Sequence, residues 1–350
     1  MYKRILSIIF CVVFVLCISL PLLFTNLKDN VVSESENRYL TAKPKFYGED
    51  GTLNKSFFVD FEGWFNDNVG FRDEIVEKNA LIQVKLFKST PNDNVIIGKR
   101  GWLFYNNTAD GNPMSYYLGT DLYTEEELEV MANNLRVTKK YLEEQGTEFV
   151  LFIAPNKERV YSEYMPSSYG APAEVYKTKQ IVDYLRENTD IRVVYPYEAL
   201  LSQKQSNPKM ELYYPLDTHW NPLGAYIGTA TLMEELRMEM PGIDTLKVDR
   251  TGVAGCDLAS MLNLASQLNK DVGYSVSGYE NTQGSKQNVF MVTDSFGFTM
   301  VDYLDAQFAE CHAVHVDEFS KEMLETEKYD VFVYECVERY SFRLLGFCLQ

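Results

Sequence analysis

Twenty consecutive uncharged residues, Ile5 to Phe24, follow Lys3 and Arg4 near the start of the chain. A helix of that length is roughly 30 Å long, the thickness of a bilayer's hydrocarbon core. Two cations before it and the acids soon after it, Asp29, Glu34 and Glu36, predict a single-pass anchor. Residues 1–4 would then be cytoplasmic and everything beyond Phe24 extracytoplasmic. A cleaved signal peptide is the competing reading, but its apolar region is shorter and ends at a small-x-small site that SLPLLFTNLKDN lacks. Residues 25–45 are polar and predict a short tether.

Beyond the tether, Phe57, Phe61, Trp64 and Phe65 recur at helical spacing, and Ile75, Leu81, Ile82 and Leu86 continue the pattern, which predicts helices packed into a core. Asn94 to Tyr105, NVIIGKRGWLFY, reads as a hairpin of two apolar runs around a Gly-Lys-Arg-Gly turn. Thr124 then caps an amphipathic helix that ends at Gly146. From here strands and helices alternate. EFVLFIAP, IRVVYPY, KQNVFMVTD, CHAVHV and YDVFVYE are apolar without alternation, as in strands covered on both faces. Helical patterns occupy 221–240, 298–310 and 320–327. This order predicts a mainly parallel sheet in a three-layer α/β/α domain covering residues 46–350, with ligands at the carboxyl ends of the strands.

That placement rule selects the candidate chemistry. Ser295 stands at the turn between the strand 289–293 and the next helix, where its hydroxyl is exposed and amide groups can face an oxyanion. A serine needs a base oriented by a third group. His219, in DTHWNPLGAY, lies on such a turn before a helix capped by Asn221 and begun by Pro222. Asp217, two residues earlier on an extended segment, projects to the same side. A packed turn and a metal corner are the alternatives; the metal corner would need His312 and His315, which alternate along a strand and read as core or edge residues. Lys157 and Arg159, just after a strand in APNKER, either face the site and hold a substrate or anionic group or form a solvated turn. Trp220 is either a wall of the site's cleft or core.

Charge narrows the partners. With 33 Lys and Arg against 50 Asp and Glu the formal net charge is -17, which excludes a general nucleic-acid binder and mildly favours a neutral acceptor. Cys256, Cys311, Cys336 and Cys348 show no close pairing, so buried thiols are the default expectation, with one disulfide as the alternative.

TDSFG around Ser295 resembles the nucleophile block of SGNH hydrolases, and DTHW resembles their Asp-x-x-His block, shortened by one residue and moved ahead of the nucleophile. This order is similar to the SGNH-hydrolase-like (flavodoxin-like) domain of alginate O-acetyltransferases, the AlgX/AlgJ-like proteins, and of the DHHW family. SENRYLTAKP, FEGWFNDNVGFRD, VIIGKRGWLFY, APNKERVY, AGCDLASML and VERY extend the resemblance over nearly all of the expected exported region. Two positions depart from it: Thr293 replaces the block glycine and Thr218 the second letter of DHHW. The resemblance implies an O-acetyltransferase that moves an acetyl group through acetyl-Ser295 to a polysaccharide hydroxyl, with His219 as base, Asp217 as its orienter and no cofactor or metal. A multi-pass membrane acyltransferase would supply the acetyl group. The Ser295 N–H, with Gly255 or Asp294, would serve the oxyanion. An acetylesterase using the same three residues, and a non-catalytic glycan-binding or assembly subunit, are the alternatives.

Overall fold

The computed structural model describes residues 2–33, 38–48, 51–253, 256–268, 272–280 and 285–350. They fall into two compact units, one holding the chain through Pro91 with Leu262–Leu264, the other Asn92–Met261 with Ala265–Gln350.

In the first unit α1, Tyr2–Leu23, buries none of its side chains. Among the described residues it is the one helix long and apolar enough to cross a membrane. The segment after it contains a short strand pair. Val32–Ser33 pairs antiparallel with Arg38–Tyr39. The Thr41 amide and hydroxyl then donate to Asp67 Oδ2, at 2.9 and 2.6 Å, on helix α2, Phe57–Asn68. Helix α3 follows at Arg72–Ile82. The aromatic stripe on α2 does not form the expected core: Trp64 is buried, while Phe57, Phe61 and Phe65 stack along one face at ring separations of 6.0 and 6.3 Å. Helical spacing places side chains on one face without supplying an element to cover it. The unit that contains the sheet begins at Asn92.

The second unit opens with the expected hairpin, β1 at Val95–Ile97 and β2 at Leu103–Tyr105. Helix α4, Glu125–Glu143, carries a capping box in which Thr124 and Glu127 satisfy each other's amides. Strand β3, Glu148–Ala154, helix α5, Lys177–Asn188, and strand β4, Arg192–Val194, come next. Helix α6, Pro222–Glu235, begins at its Asn221 cap. The polar stretch after it forms an antiparallel hairpin that its composition did not suggest, β5 at Lys247–Val253 and β6 at Val272–Ser277. Strand β7, Asn288–Thr293, runs into α7, Ser295–Phe298, and α8, Val301–Gln307. Strands β8, Glu310–His315, and β9, Val331–Val337, complete the fold. The helix expected at 320–327 is a 3-10 turn at Lys321–Glu325.

The five-stranded sheet has the order β8-β7-β9-β3-β4, and every neighbouring pair is parallel. Along β3, Phe149, Leu151 and Ile153 pack with residues of α4 and α5, while Val150, Phe152 and Ala154 pack with residues of α6 and α8. Burial of both faces explains why these strands lack alternation. Strand β8 differs: it is an edge strand with several partly exposed residues, including His312 and His315. Among the described residues Cys311, Cys336 and Cys348 form no disulfide. At the carboxyl ends of β3, β7 and β9 emerge the turns that carry Asn156–Arg159, Asp294–Ser295 and Glu338–Arg339.

Candidate active site

The serine turn is anchored on three sides. Asp294 Oδ1 accepts from the Phe296 amide at 2.8 Å and caps α7, while its Oδ2 accepts from the Val337 amide at 2.8 Å and ties the turn to the end of β9. Asp294 is thus a buried brace rather than an open oxyanion group. Thr293 lies beneath the turn within hydrogen-bond reach of Glu335 Oε2 at 2.6 Å, an oxygen that also accepts from the Asp294 amide at 3.1 Å. Burial, then the charge of Asp294, pushes the Glu335 carboxyl well above its usual range. A Cβ on Gly297 would sit 1.9 Å from Thr293 Oγ1, so the glycine that the block lacks at 293 is matched by one at 297, where the threonine needs space. The result leaves Ser295 exposed at the first position of α7, with an amide that has no intrahelical acceptor.

The histidine turn meets it from the other side. A bridge between Tyr213 and Trp220 closes the loop, and the Tyr214 amide bonds the His219 carbonyl at 3.2 Å. His219 Nε2 lies 2.7 Å from Ser295 Oγ, and its Nδ1 lies 2.7 Å from Asp217 Oδ1. Asp217 Oδ1 also accepts from the His219 amide at 3.0 Å, and Oδ2 from the Asp257 amide at 2.9 Å. Burial opposes ionisation of Asp217, but hydrogen bonding to His219, the charge of that ring and the two amides outweigh it and hold the carboxyl down at about 2. A carboxylate can only accept, so Nδ1 carries the ring proton and Nε2 is free to accept from the serine hydroxyl.

The remaining sequence candidates have other tasks. Lys157 is 1% exposed, and its Nζ donates to the carbonyls of Asp217 at 2.6 Å, Tyr214 at 3.2 Å and Pro215 at 3.3 Å. It holds the histidine loop from beneath and is neither a solvated turn nor a sugar contact. Arg159, also buried, donates to the carbonyls of Tyr116 and Ala173 and lies 3.4 Å from the centre of the Tyr176 ring. Trp220 is fully buried and donates from Nε1 to the Phe296 carbonyl at 3.0 Å, which joins the histidine turn to the serine turn. Gly255 lies outside the described residues. His312 stacks on Phe290 and His315 on Phe298, so neither stands with His219.

Three further acids belong to this assembly. Asp257 accepts from the Thr218 amide at 2.8 Å and hydroxyl at 2.5 Å, and its Oδ2 lies 3.8 Å from His219 Nδ1. Burial and then the Asp217 charge raise its carboxyl above the ordinary value. Glu338 accepts from the Asn156 amide at 2.7 Å and the Tyr195 hydroxyl at 2.6 Å, bracing the ends of β3 and β4. Glu335 supports the serine turn. The AGCDL and VERY stretches contained Asp257 and Glu338, but their roles depend on which turns the fold brings together. Asp217, His219 and Asp257 also place ligand-type atoms within 4.8 Å of one another, the metal corner in a new form. All four carboxylate oxygens there already accept from amide, ring or hydroxyl donors, which argues for a hydrogen-bonded assembly.

Comparison with known proteins bears on the family of the chain. Over 155 residues, 44% of the chain, the sequence is 25% identical to the probable alginate O-acetylase AlgJ of Pseudomonas putida, and the match covers 37% of that protein. The chain therefore spans little more than a third of the length of this curated relative. Among solved structures, the O-acetyltransferase domain of Pseudomonas putida AlgJ matches with a TM-score of 0.49 and 18% identity, over 72% of this chain and 92% of that one. A DHHW family protein from Eubacterium siraeum matches with a TM-score of 0.49 and 14% identity, over 73% and 98%. Residues 95–289 match the family model described as the SGNH hydrolase-like domain of the acetyltransferase AlgX, a match that ends before Ser295. The chain belongs to this AlgX-type SGNH-hydrolase-like family.

Proposed function

We propose that the protein is a membrane-anchored O-acetyltransferase that passes an acetyl group through Ser295 to a hydroxyl of an extracytoplasmic polysaccharide. The observation that carries this reading is the continuous contact from Asp217 to His219 to Ser295, with 2.7 Å at each step. His219 Nε2 takes the hydroxyl proton as Ser295 Oγ attacks the acetyl carbonyl. The bond to the donor's leaving group breaks, and that group departs with the proton, leaving acetyl-Ser295. A sugar hydroxyl then gives its proton to Nε2 and attacks the acetyl carbon, and the proton returns to Ser295 Oγ as the ester breaks. Asp217 stabilises the imidazolium in both halves. The Ser295 amide is the oxyanion donor that the turn offers.

Family membership supports acetyl transfer, and similarity to the probable alginate O-acetylase AlgJ supports a polysaccharide acceptor. The helix Tyr2–Leu23 would keep the second unit at the outer membrane face, where a multi-pass membrane acyltransferase is the partner able to deliver acetyl groups from the cytoplasm. The test is acetyl release from a small activated acetyl ester, with and without oligosaccharide acceptors. Ser295-dependent turnover with acetylated sugar as product is expected. Hydrolysis alone, whatever acceptor is present, would make the protein an esterase, and turnover unaffected by Ser295→Ala would overturn the serine mechanism.

A further inference from the structure

The apolar helix α1 does not end in a free linker. Its last turn is fastened to the turn between α2 and α3: the Gly70 amide donates to the Pro21 carbonyl at 3.0 Å, the Asn26 amide to the Asn68 carbonyl at 2.8 Å, and Asn26 Nδ2 to Asn68 Oδ1 at 2.7 Å. The Phe24 and Phe71 rings lie 5.1 Å apart. A Cβ on Gly70 would fall 2.6 Å from Phe24 Cβ, so this close approach requires glycine. With α1 across a bilayer, the start of α3 is held where the apolar run leaves the hydrocarbon.

Helix α3, continued by a π-helical turn at Gln83–Phe87, is apolar on two sides. Ala80 and Val84 are buried on one of them. On the other, spacings of four, seven and four residues align Phe71, Ile75, Ile82 and Leu86, which are 43% to 71% exposed. Lys78 and Lys85 border this row, with stems long enough to carry their ammonium groups to lipid headgroups. A helix with apolar residues on both faces needs apolar surroundings on both, and the described residues leave the Phe71–Leu86 row open.

We infer that α3 is an interfacial helix whose Phe71–Leu86 row enters the boundary between headgroups and acyl chains in the outer leaflet of the phospholipid bilayer, giving the chain a second membrane contact beside α1. The bilayer is the occupant because the row begins at Phe71, against Phe24, the residue that closes the apolar run. A soluble partner would have to displace lipid at that depth. Aromatic side chains and long cationic ones also settle at this boundary. The consequence is that the first unit rests on the membrane surface instead of pivoting on the end of one helix. The inference rests on the membrane-anchor reading above, because α1 sets the depth of α3.

The test places the full chain in vesicles of phosphatidylethanolamine and phosphatidylglycerol and reads tryptophan fluorescence from Ile75→Trp, Ile82→Trp and Leu16→Trp, each as the increment over wild type. All three positions are exposed, so the new side chains do not threaten folding. Lipids brominated close to the headgroup should quench the Ile75→Trp and Ile82→Trp increments at least about twofold relative to unbrominated vesicles. Absence of that quenching would overturn the proposal. If the two positions were then also shielded from an aqueous quencher, a second copy of the chain or another protein would be the cover instead of lipid. Leu16→Trp, in the middle of α1, separates the two readings, since lipids brominated deep in their chains quench it only when α1 spans. Quenching at Leu16 without quenching at Ile75 and Ile82 removes the interfacial helix alone, whereas quenching at Ile75 and Ile82 without quenching at Leu16 removes the spanning anchor alone.

Discussion

Lys157 Nζ donates to the backbone carbonyl of Asp217 at 2.6 Å, so the cation sits beneath the loop whose side chains face Ser295. It positions the acid of the Asp–His pair through the backbone and leaves the carboxylate to His219. Lys157→Met, which keeps the length and removes the donor, should lower stability by about 2 to 3 kcal/mol in thermal or denaturant unfolding. Activity should fall through kcat with KM for the acetyl donor nearly constant. A selective rise in KM would return Lys157 to the role of a substrate contact.

Asp217 has a pH signature. Its carboxyl is held at about 2 in the folded protein against an ordinary 3.8, so the stability it contributes is complete above about pH 4 and is lost as pH falls through 2. The gap in melting temperature between the wild type and Asp217→Asn should be full at pH 6 and should narrow below pH 4. The same variant leaves the imidazole without its fixed tautomer, and kcat on an activated acetyl ester should drop by about 10³- to 10⁴-fold.

Glu335 predicts the opposite trend. Its folded carboxyl is raised by burial, so the folded state binds a proton that the unfolded state releases, and stability declines as pH rises above about 4.5. Glu335→Gln removes that penalty while keeping an acceptor for the Thr293 hydroxyl. The melting temperature of the variant relative to the wild type should therefore rise steadily between pH 4 and pH 8. A difference independent of pH would show that the acid is ionised in place.

Gly297 and Thr293 compete for one space. Gly297→Ala should destabilise the protein by about 3 kcal/mol through overpacking and reduce Ser295 reactivity, because the new methyl group would meet the Thr293 hydroxyl at 1.9 Å. Thr293→Gly opens that space, so the double variant should recover part of the loss, and the double-mutant cycle should show a coupling above 0.5 kcal/mol. Additive effects would separate the two positions.

Asp257 acts on His219 through Thr218. Asp257→Ala should lower kcat about tenfold with little change in KM, and Thr218→Val should reproduce most of that loss, because both variants release the same hydroxyl contact. An unaltered kcat in both would reduce the pair to a loop fastening.

What could be read in advance follows from how local each signal is. Strand β3 and helix α4 announce themselves because burial on both faces and a Thr-Glu capping box leave marks within a few residues. Asp217 and His219 were legible for the same reason, being two residues apart, and the strand-end rule supplied Ser295. The burial of Lys157 leaves no local mark, because a lysine after a strand is ordinarily solvated and only the fold brings three carbonyls to it. Asp257 and Glu335 leave none either, since their partners lie 39 and 42 residues away. The β5–β6 hairpin is formed by a polar stretch whose composition resembles a loop.

His219 and Asp217 share one short loop, while Ser295 arrives on the end of a strand 76 residues later. Half of the relay is therefore preassembled and the other half is delivered by β7, whose residue Val292 pairs with Tyr334 of β9. A slip of one residue in that pairing would turn Ser295 to the opposite face of the sheet and leave Asp217 and His219 untouched. Under the proposed serine mechanism, turnover at Ser295 is thus a chemical gauge of strand alignment, able to detect a misaligned but compact chain that spectroscopic measures of secondary structure would record as folded.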